Sequence, residues 1–280
     1  MMSGARGLNW FLLLPSLLLL AVLLGLPLAA MLAQSLQPNV LLSFTGPALD
    51  NYGYLLSRPY YLQVILRTLR HAALTTLISL PLGYIAAMLL RDLSGRAGNL
   101  AIMALTFPIL AGPLTVALGW MALLADGGPF LGPLVRAGLI APPRLLGSET
   151  GVIISLIQFV LPFTVLTLYT GLRQIQPQLQ EAARSLGASG AARFLHVTLP
   201  LSLPSVLSAS IIAFSLAASS FISPHYLGGA GQLTLTTLVS QFIMATFNAE
   251  LAAAAAGLLL VLMLAAVVGI TLAIGRFIRP

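Results

Sequence analysis

The stretch EAARSLGASGAARFLHVTLP, residues 181–200, is polar and small-sided, while the chain on either side of it is apolar enough for lipid. The residues before it, RQIQPQLQ from Arg173 to Gln180, set up its first helix. Pro177 suits a first helical turn, where its missing N–H costs nothing. Leu179, Ala182, Ala183 and Leu186 then recur at i, i+3, i+4 and i+7, one face of a helix. Glu181 and Arg184 stand three apart, close enough for a weak ion pair. Gly187 fits a left-handed helix end, and Ser189 can cap the next helix. Phe194, Val197 and Leu195 give that second helix an apolar side, and Pro200 is expected to end it. Residues 173–200 therefore read as a helical hairpin with little apolar bulk of its own. Alanine and glycine allow another backbone to come close, so the hairpin suits the cleft of a partner protein. The alternative is an amphipathic loop lying on a membrane, which would carry larger apolar residues and more basic ones.

The rest of the 280-residue chain places this hairpin in a bilayer. Hydrophobic residues make up 59% of it and charged ones 7%, with a mean hydropathy of +1.01. A soluble domain carries about 25% charged residues, so this chain could not cover itself against water. All 13 basic residues are arginine. Without lysine there is no P-loop and no Schiff base. Without cysteine there is no disulfide, thiolate metal site or cysteine nucleophile. The arginines are scattered among apolar spans rather than gathered in a basic patch, which argues against nucleic acid.

Six segments are long enough, at about 20 apolar residues each, to cross: 10–33, 72–90, 99–124, 150–172, 201–222 and 251–275. The first is too long for the apolar core of a signal peptide, about 7–15 residues. With the N-terminus inside, Arg6, Arg91, Arg96, Arg173, Arg184, Arg193, Arg276 and Arg279 are cytoplasmic. Arg58, Arg67, Arg70, Arg136 and Arg144 are then outside, so the positive-inside rule favours both termini in the cytoplasm. The fold expected is all-α and integral to the membrane, one transmembrane domain over 1–280 with six helices. The hairpin then lies between the fourth and fifth, on the cytoplasmic side. Pro81, Gly83, Pro108, Gly112, Pro113 and Pro162 interrupt the spans. Each proline frees a carbonyl that lipid cannot satisfy, which marks either a packing kink or the wall of a wet cavity. Gly228, Gly229 and Gly231 read as a tight turn before the last span.

Glu181-Ala182-Ala183, Gly187 six residues after the glutamate, then Phe194, Val197 and Leu199-Pro200 resemble the EAA loop. That loop marks the membrane subunits of binding-protein-dependent ABC importers, and the resemblance covers nearly the whole chain. It implies that the hairpin is a coupling helix docked on a cytoplasmic ABC ATPase dimer. Glu181, Ala182, Ala183, Arg184, Gly187, Phe194 and Pro200 are then the coupling residues. ATP and its magnesium would belong to that ATPase, with no cofactor held by this chain. The other partners implied are a second, different permease subunit and an extracytoplasmic solute-binding protein, all at a bacterial inner membrane. The stretches 67–91 and 221–242 resemble the polyamine-type branch, whose relatives also carry ferric iron, phosphonates or opine-like compounds.

Arg67 and Arg70, with His71, sit at the expected outer mouth of the second span. They either line an entrance, where they would repel a polyamine, or snorkel to the interface. Thr106 and Thr115 on the third span, with Ser215, Ser219, Ser220 and Phe221 on the fifth, are candidate pathway residues. Serine and threonine also commonly bond back to their own helix. The rival class is an ion-coupled secondary transporter. It usually needs an ionisable group inside the bilayer, and none of the six acids falls mid-span. His71, His196 and His225 fall on or near loops and far apart in sequence, so no catalytic or metal cluster is read from them.

Overall fold

The computed structural model describes residues 14–42, 49–125, 127–129, 131–139 and 144–278, and among them every regular element is helical. In chain order these are α1 (Leu14–Ser35), α2 (Asp50–Ser57), α3 (Pro59–Asp92), α4 (Gly95–Ala111), α5 (Pro113–Leu124) and α6 (Leu131–Arg136). After them come α7 (Glu149–Gln174), α8 (Pro177–Ser185), α9 (Gly190–Ser219), α10 (Ile222–Leu227), α11 (Leu235–Met244) and α12 (Ala249–Ile278). Five are long and apolar enough to cross a bilayer, or six if the bent pair α4–α5 counts as one span. Of the first expected span, residues 10–13 lie outside the described residues.

The third span differs from the continuous helix expected over 99–124. It is two helices meeting at 98° across Gly112. Gly112 takes φ +80° and ψ 149°, which a side chain would resist. Pro113 then restarts the helix with the one residue that needs no N–H there. The second span also exceeds its expected length, because α3 starts at Pro59 and includes the polar turns around Arg67 and His71. The glycine-rich segment before the last span is more than a turn. Gly229–Gln232 forms one 3-10 turn, and α11 follows before α12 begins.

Two π turns have one cause. Ala21–Gly25 and Phe194–Thr198 each end two residues before a proline, Pro27 and Pro200. A proline leaves the carbonyl four residues back without its donor and crowds it. One wider turn relieves both problems without ending the helix. Pro200 therefore does not terminate the hairpin's second helix, as its sequence suggested. The helix runs on through it as a single 30-residue α9.

The described chain forms two compact units. In the first, Met1–Leu62 with Leu238–Leu260, three buried asparagines join separate segments. Asn39 Nδ2 donates to Asn248 Oδ1 at 2.8 Å and to Asn51 Oδ1 at 3.3 Å, and Asn248 Nδ2 donates back to Asn39 Oδ1 at 3.2 Å. Asn51 Nδ2 donates onward to the carbonyls of Ser35 and Gln37. Asn248 Oδ1 also caps α12 by accepting from Leu251 N–H at 2.9 Å. Truncating one member strands the others away from water. Asn248→Ala is expected to cost about 1–3 kcal/mol, measured as a lower thermal midpoint of the detergent-purified protein.

In the second unit, Gln63–Thr237 with Val261–Pro280, α3, α7 and α9 pack around Ala87, Leu90, Val165, Leu168, Leu172 and Ala209. Small residues set the spacing, as expected where lipid supplies no hydrophobic drive between helices. A Cβ on Gly83 would lie 2.8 Å from Thr164 Cγ2, and one on Gly171 would overlap the Ser205 side chain. α5 and α10 meet α7 in a cluster of Ala117, Leu124, Leu227, Val152 and Leu156.

Candidate functional site

The hairpin forms as its residues dictate. Gln176 is extended (φ −61°, ψ 129°), and Pro177 opens α8. At the other end Gly187 stands at φ +80°. Its N–H donates to Arg184 O at 2.9 Å, and Ala188 N–H donates to Ala183 O at 3.0 Å. Those two bonds around a left-handed glycine are a Schellman ending, which satisfies carbonyls the helix leaves open. Two residues on, Ser189 Oγ accepts from Ala192 N–H at 3.2 Å and caps the start of α9.

Three contacts brace the hairpin, one within it, one to α3 and one between α3 and α9. Gln180 Nε2 donates to Thr198 Oγ1 at 2.7 Å, closing the two arms. Phe194 meets Tyr84 of α3 edge to face, with centroids 5.8 Å apart and planes at 87°. Tyr84 Oη lies 2.8 Å from Ser202 Oγ on α9. The π turn 194–198 therefore sits where the hairpin joins the membrane helices. A groove of about 330 Å³ lined by Leu80, Pro81, Tyr84, Ile85, Phe194 and Leu199 lies beside it.

The opposite side of the hairpin is bare. Glu181, Ala182, Arg184 and Gly187 are exposed, Ala183 is half-buried, and Leu186 is 88% exposed. The expected pair between Glu181 and Arg184 does not form; among the described residues the ion pairs involve Glu149 alone. Both charges are left outward for other partners. The apolar face Leu179–Leu186 is likewise uncovered rather than turned to the core.

A second polar cluster lies near the other end of α3. Arg70 Nη2 donates to Glu149 Oε2 at 2.6 Å, and Arg67 Nη1 donates to Leu233 O at 3.2 Å. Thr68 Oγ1 accepts from Leu235 N–H at 2.9 Å. Arg67, Arg70, Gln63, Glu149 and Gln232 line a cleft of about 320 Å³. The two arginines are thus partnered rather than a free basic mouth. His71, expected on or near a loop, is inside α3 and 1% exposed, with Nε2 3.7 Å from Glu149 Oε1. Arg70 and Tyr84 are fourteen residues apart on this helix, about 21 Å at 1.5 Å per residue. One continuous helix, with Pro81 inside it, thus joins the cleft to the hairpin.

The expected pathway residues are not brought into one constellation by the hydrogen bonds they make. Thr106 Oγ1 bonds back to Ile102 O, and Ser219 Oγ bonds back to Ser215 O. Ser220 ends α9, and its carbonyl accepts from Thr236 Oγ1. Phe221 stacks on His225 at 4.8 Å, and Thr115 is exposed in the first turn of α5. Tyr84, Gln180, Thr198 and Ser202, which hold the hairpin, carry no motif in the sequence. Tyr84, Thr198 and Ser202 stand out only as polar groups among apolar neighbours, and Gln180 is one of several glutamines in a polar run.

Residues 79–280 match the family described as binding-protein-dependent transport system inner membrane component. The chain belongs to that family. It is a multi-pass inner-membrane transport component rather than an enzyme. It is 31% identical over 198 residues to a spermidine/putrescine transport system permease protein, PotB, of Haemophilus influenzae, covering 70% of this chain and 69% of that one. It is 32% identical over 197 residues to PotB of Escherichia coli, covering 70% of this chain and 71% of that one. PotC of E. coli is 28% identical over 184 residues, covering 61% and 69%. In fold it matches a bacterial ABC transporter that imports the acidic polysaccharide alginate, with a TM-score of 0.78 at 17% identity over 97% of this chain and 96% of that one.

Proposed function

We propose that this permease is half of the translocation unit of an ATP-driven importer for an aliphatic polyamine. A cytoplasmic ATPase dimer grips the bare side of its hairpin. The observation that carries this reading is the hairpin itself. It has two well-capped helices, an uncovered Glu181–Leu186 face, and one aromatic contact joining it to a helix of the second unit. Closure of the ATPase around α8 would push on Phe194 and Thr198. Through Tyr84 that push reaches α3 and the far cleft. ATP and magnesium are held by the ATPase, and the termini and hairpin face the cytoplasm. An extracytoplasmic binding protein delivers the solute.

Similarity to both PotB and PotC of one organism supports pairing with a different permease chain. Polyamine is favoured over ferric iron, phosphonate or opine-type solutes because the 31–32% relatives carry spermidine and putrescine in their names. Ion coupling is not favoured. Glu149 and Glu250 each lie in the first turn of a helix rather than in its middle.

The test is uptake of labelled putrescine into proteoliposomes. The complete assembly should accumulate it only with ATP inside and binding protein outside. This chain alone, given a proton or sodium gradient, should accumulate none; accumulation there would make it a secondary transporter.

A further inference from the structure

The α4–α5 elbow and the middle of α7 enclose a pocket of about 160 Å³, lined by Pro108, Ile109, Pro113, Gln158, Phe159 and Phe163, with Pro162 and Val116 beside them. Its volume is about half of the ~300 Å³ at which small-molecule pockets begin. It therefore suits one end of a solute rather than the whole of it. None of the candidate pathway residues chosen from the sequence lines it.

Its chemistry is set by prolines. Pro162 has no N–H to give to the carbonyl of Gln158, four residues back on α7. Pro113, across the Gly112 break, likewise gives none to the carbonyl of Ile109. Two backbone acceptors without helical partners thus belong to residues lining one small pocket. In a membrane such acceptors are met by neighbouring helices, hydroxyl side chains, water or a ligand. Of the two, the Ile109 carbonyl lies beside a helix break, and open carbonyls at such breaks are how some transporters hold cations.

Phe159 and Phe163 add an aromatic corner, with centroids 6.1 Å apart and planes at 67°. An aromatic face attracts an ammonium group. The Gln158 side chain is held in place, its Oε1 accepting from Trp120 Nε1 at 3.2 Å. At the N-terminus of α5 neither lining residue has a free backbone donor: Pro113 lacks an N–H, and Val116 N–H already donates to Gly112 O. No charged residue lines the pocket. We propose that this elbow is a subsite for the ammonium end of an aliphatic amine. The freed carbonyls and the Phe159–Phe163 corner receive the charge, and the proline and isoleucine walls receive the methylenes. This rests on the polyamine reading above.

The test keeps the ring and alters only its electrostatics. In the complete transporter, Phe163 is replaced by mono-, di- and trifluorophenylalanine, and the uptake of labelled putrescine is measured. Uptake is expected to fall stepwise with fluorine number, to about one fifth at three fluorines. Phe163→Trp should retain uptake and Phe163→Leu should lose it. Pro162→Ala, which restores a donor to the Gln158 carbonyl, should lower it too. A rate that stays level across the fluorinated series overturns the subsite. A wild-type assembly that hydrolyses ATP when its loaded binding protein is added, yet moves no putrescine, overturns the substrate class and leaves the importer reading standing.

Discussion

Gly187→Trp is expected to abolish the ATP turnover that a loaded binding protein stimulates, at wild-type abundance in the membrane. Nothing lies within 4 Å of the position a Cβ would take on Gly187, so the subunit itself has room for a side chain there. The cost within the chain is confined to holding a non-glycine residue at φ +80°, about 1–2 kcal/mol. A large functional loss from a residue facing open space must therefore come from whatever fills that space. Gly187→Asn separates the two causes. Asparagine tolerates the left-handed region and keeps the Schellman ending, so it should fold as well as glycine while still adding bulk to the docking face. The expected order of turnover is glycine, then asparagine, with tryptophan at background. Glu181→Lys should also reach background by reversing a charge that has no ion-pair partner among the described residues. Wild-type turnover in Gly187→Trp would remove the hairpin from the ATPase contact altogether.

Much of this was legible in the residues because membrane helices leave few options. The apolar runs placed five long helices, and Gly187, Ser189 and Pro177 each occur at the end or start their local chemistry requires. Other features were decided by contacts between segments, which no run of residues announces. The break at Gly112 was missed because Pro108, Gly112 and Pro113 are each compatible with a kinked but continuous span. Pro200 signals a stop in the sequence, and only the π turn of the folded helix lets α9 pass it. Whether Arg67 and Arg70 line an entrance or snorkel stays open in the sequence, because the Glu149 that pairs with Arg70 is 79 residues away.

The same limit explains the site. The hairpin's bare face could be read from alanine, glycine and one glutamate in an apolar chain. What holds the hairpin could not, because Tyr84 and Phe194 are ordinary aromatic residues in separate helices. Nor could the elbow pocket be read. The prolines that free its carbonyls belong to two spans, and only the 98° bend places them around one space.

Phe194→Ala is expected to leave the ATPase bound but to lower stimulated turnover and uptake at least tenfold. Phe194 is half-buried and sits within the π turn, so its loss removes a contact rather than a core. The hairpin keeps its Gln180–Thr198 clasp and both caps, and its docking face is untouched. What disappears is the edge-to-face contact with Tyr84, worth about 0.5–1.5 kcal/mol beyond area burial, together with the direct path from hairpin to α3. A double-mutant cycle isolates that path. Tyr84→Ala should impair uptake by a similar factor, and adding Phe194→Ala to it should cost almost nothing more, because residues acting through one contact are not additive. Tyr84→Phe, which keeps the ring and removes only the hydroxyl near Ser202, should retain most of the uptake. If the two alanine effects multiply instead, Phe194 and Tyr84 act separately, and closure of the ATPase reaches the membrane through the continuous α9 helix alone.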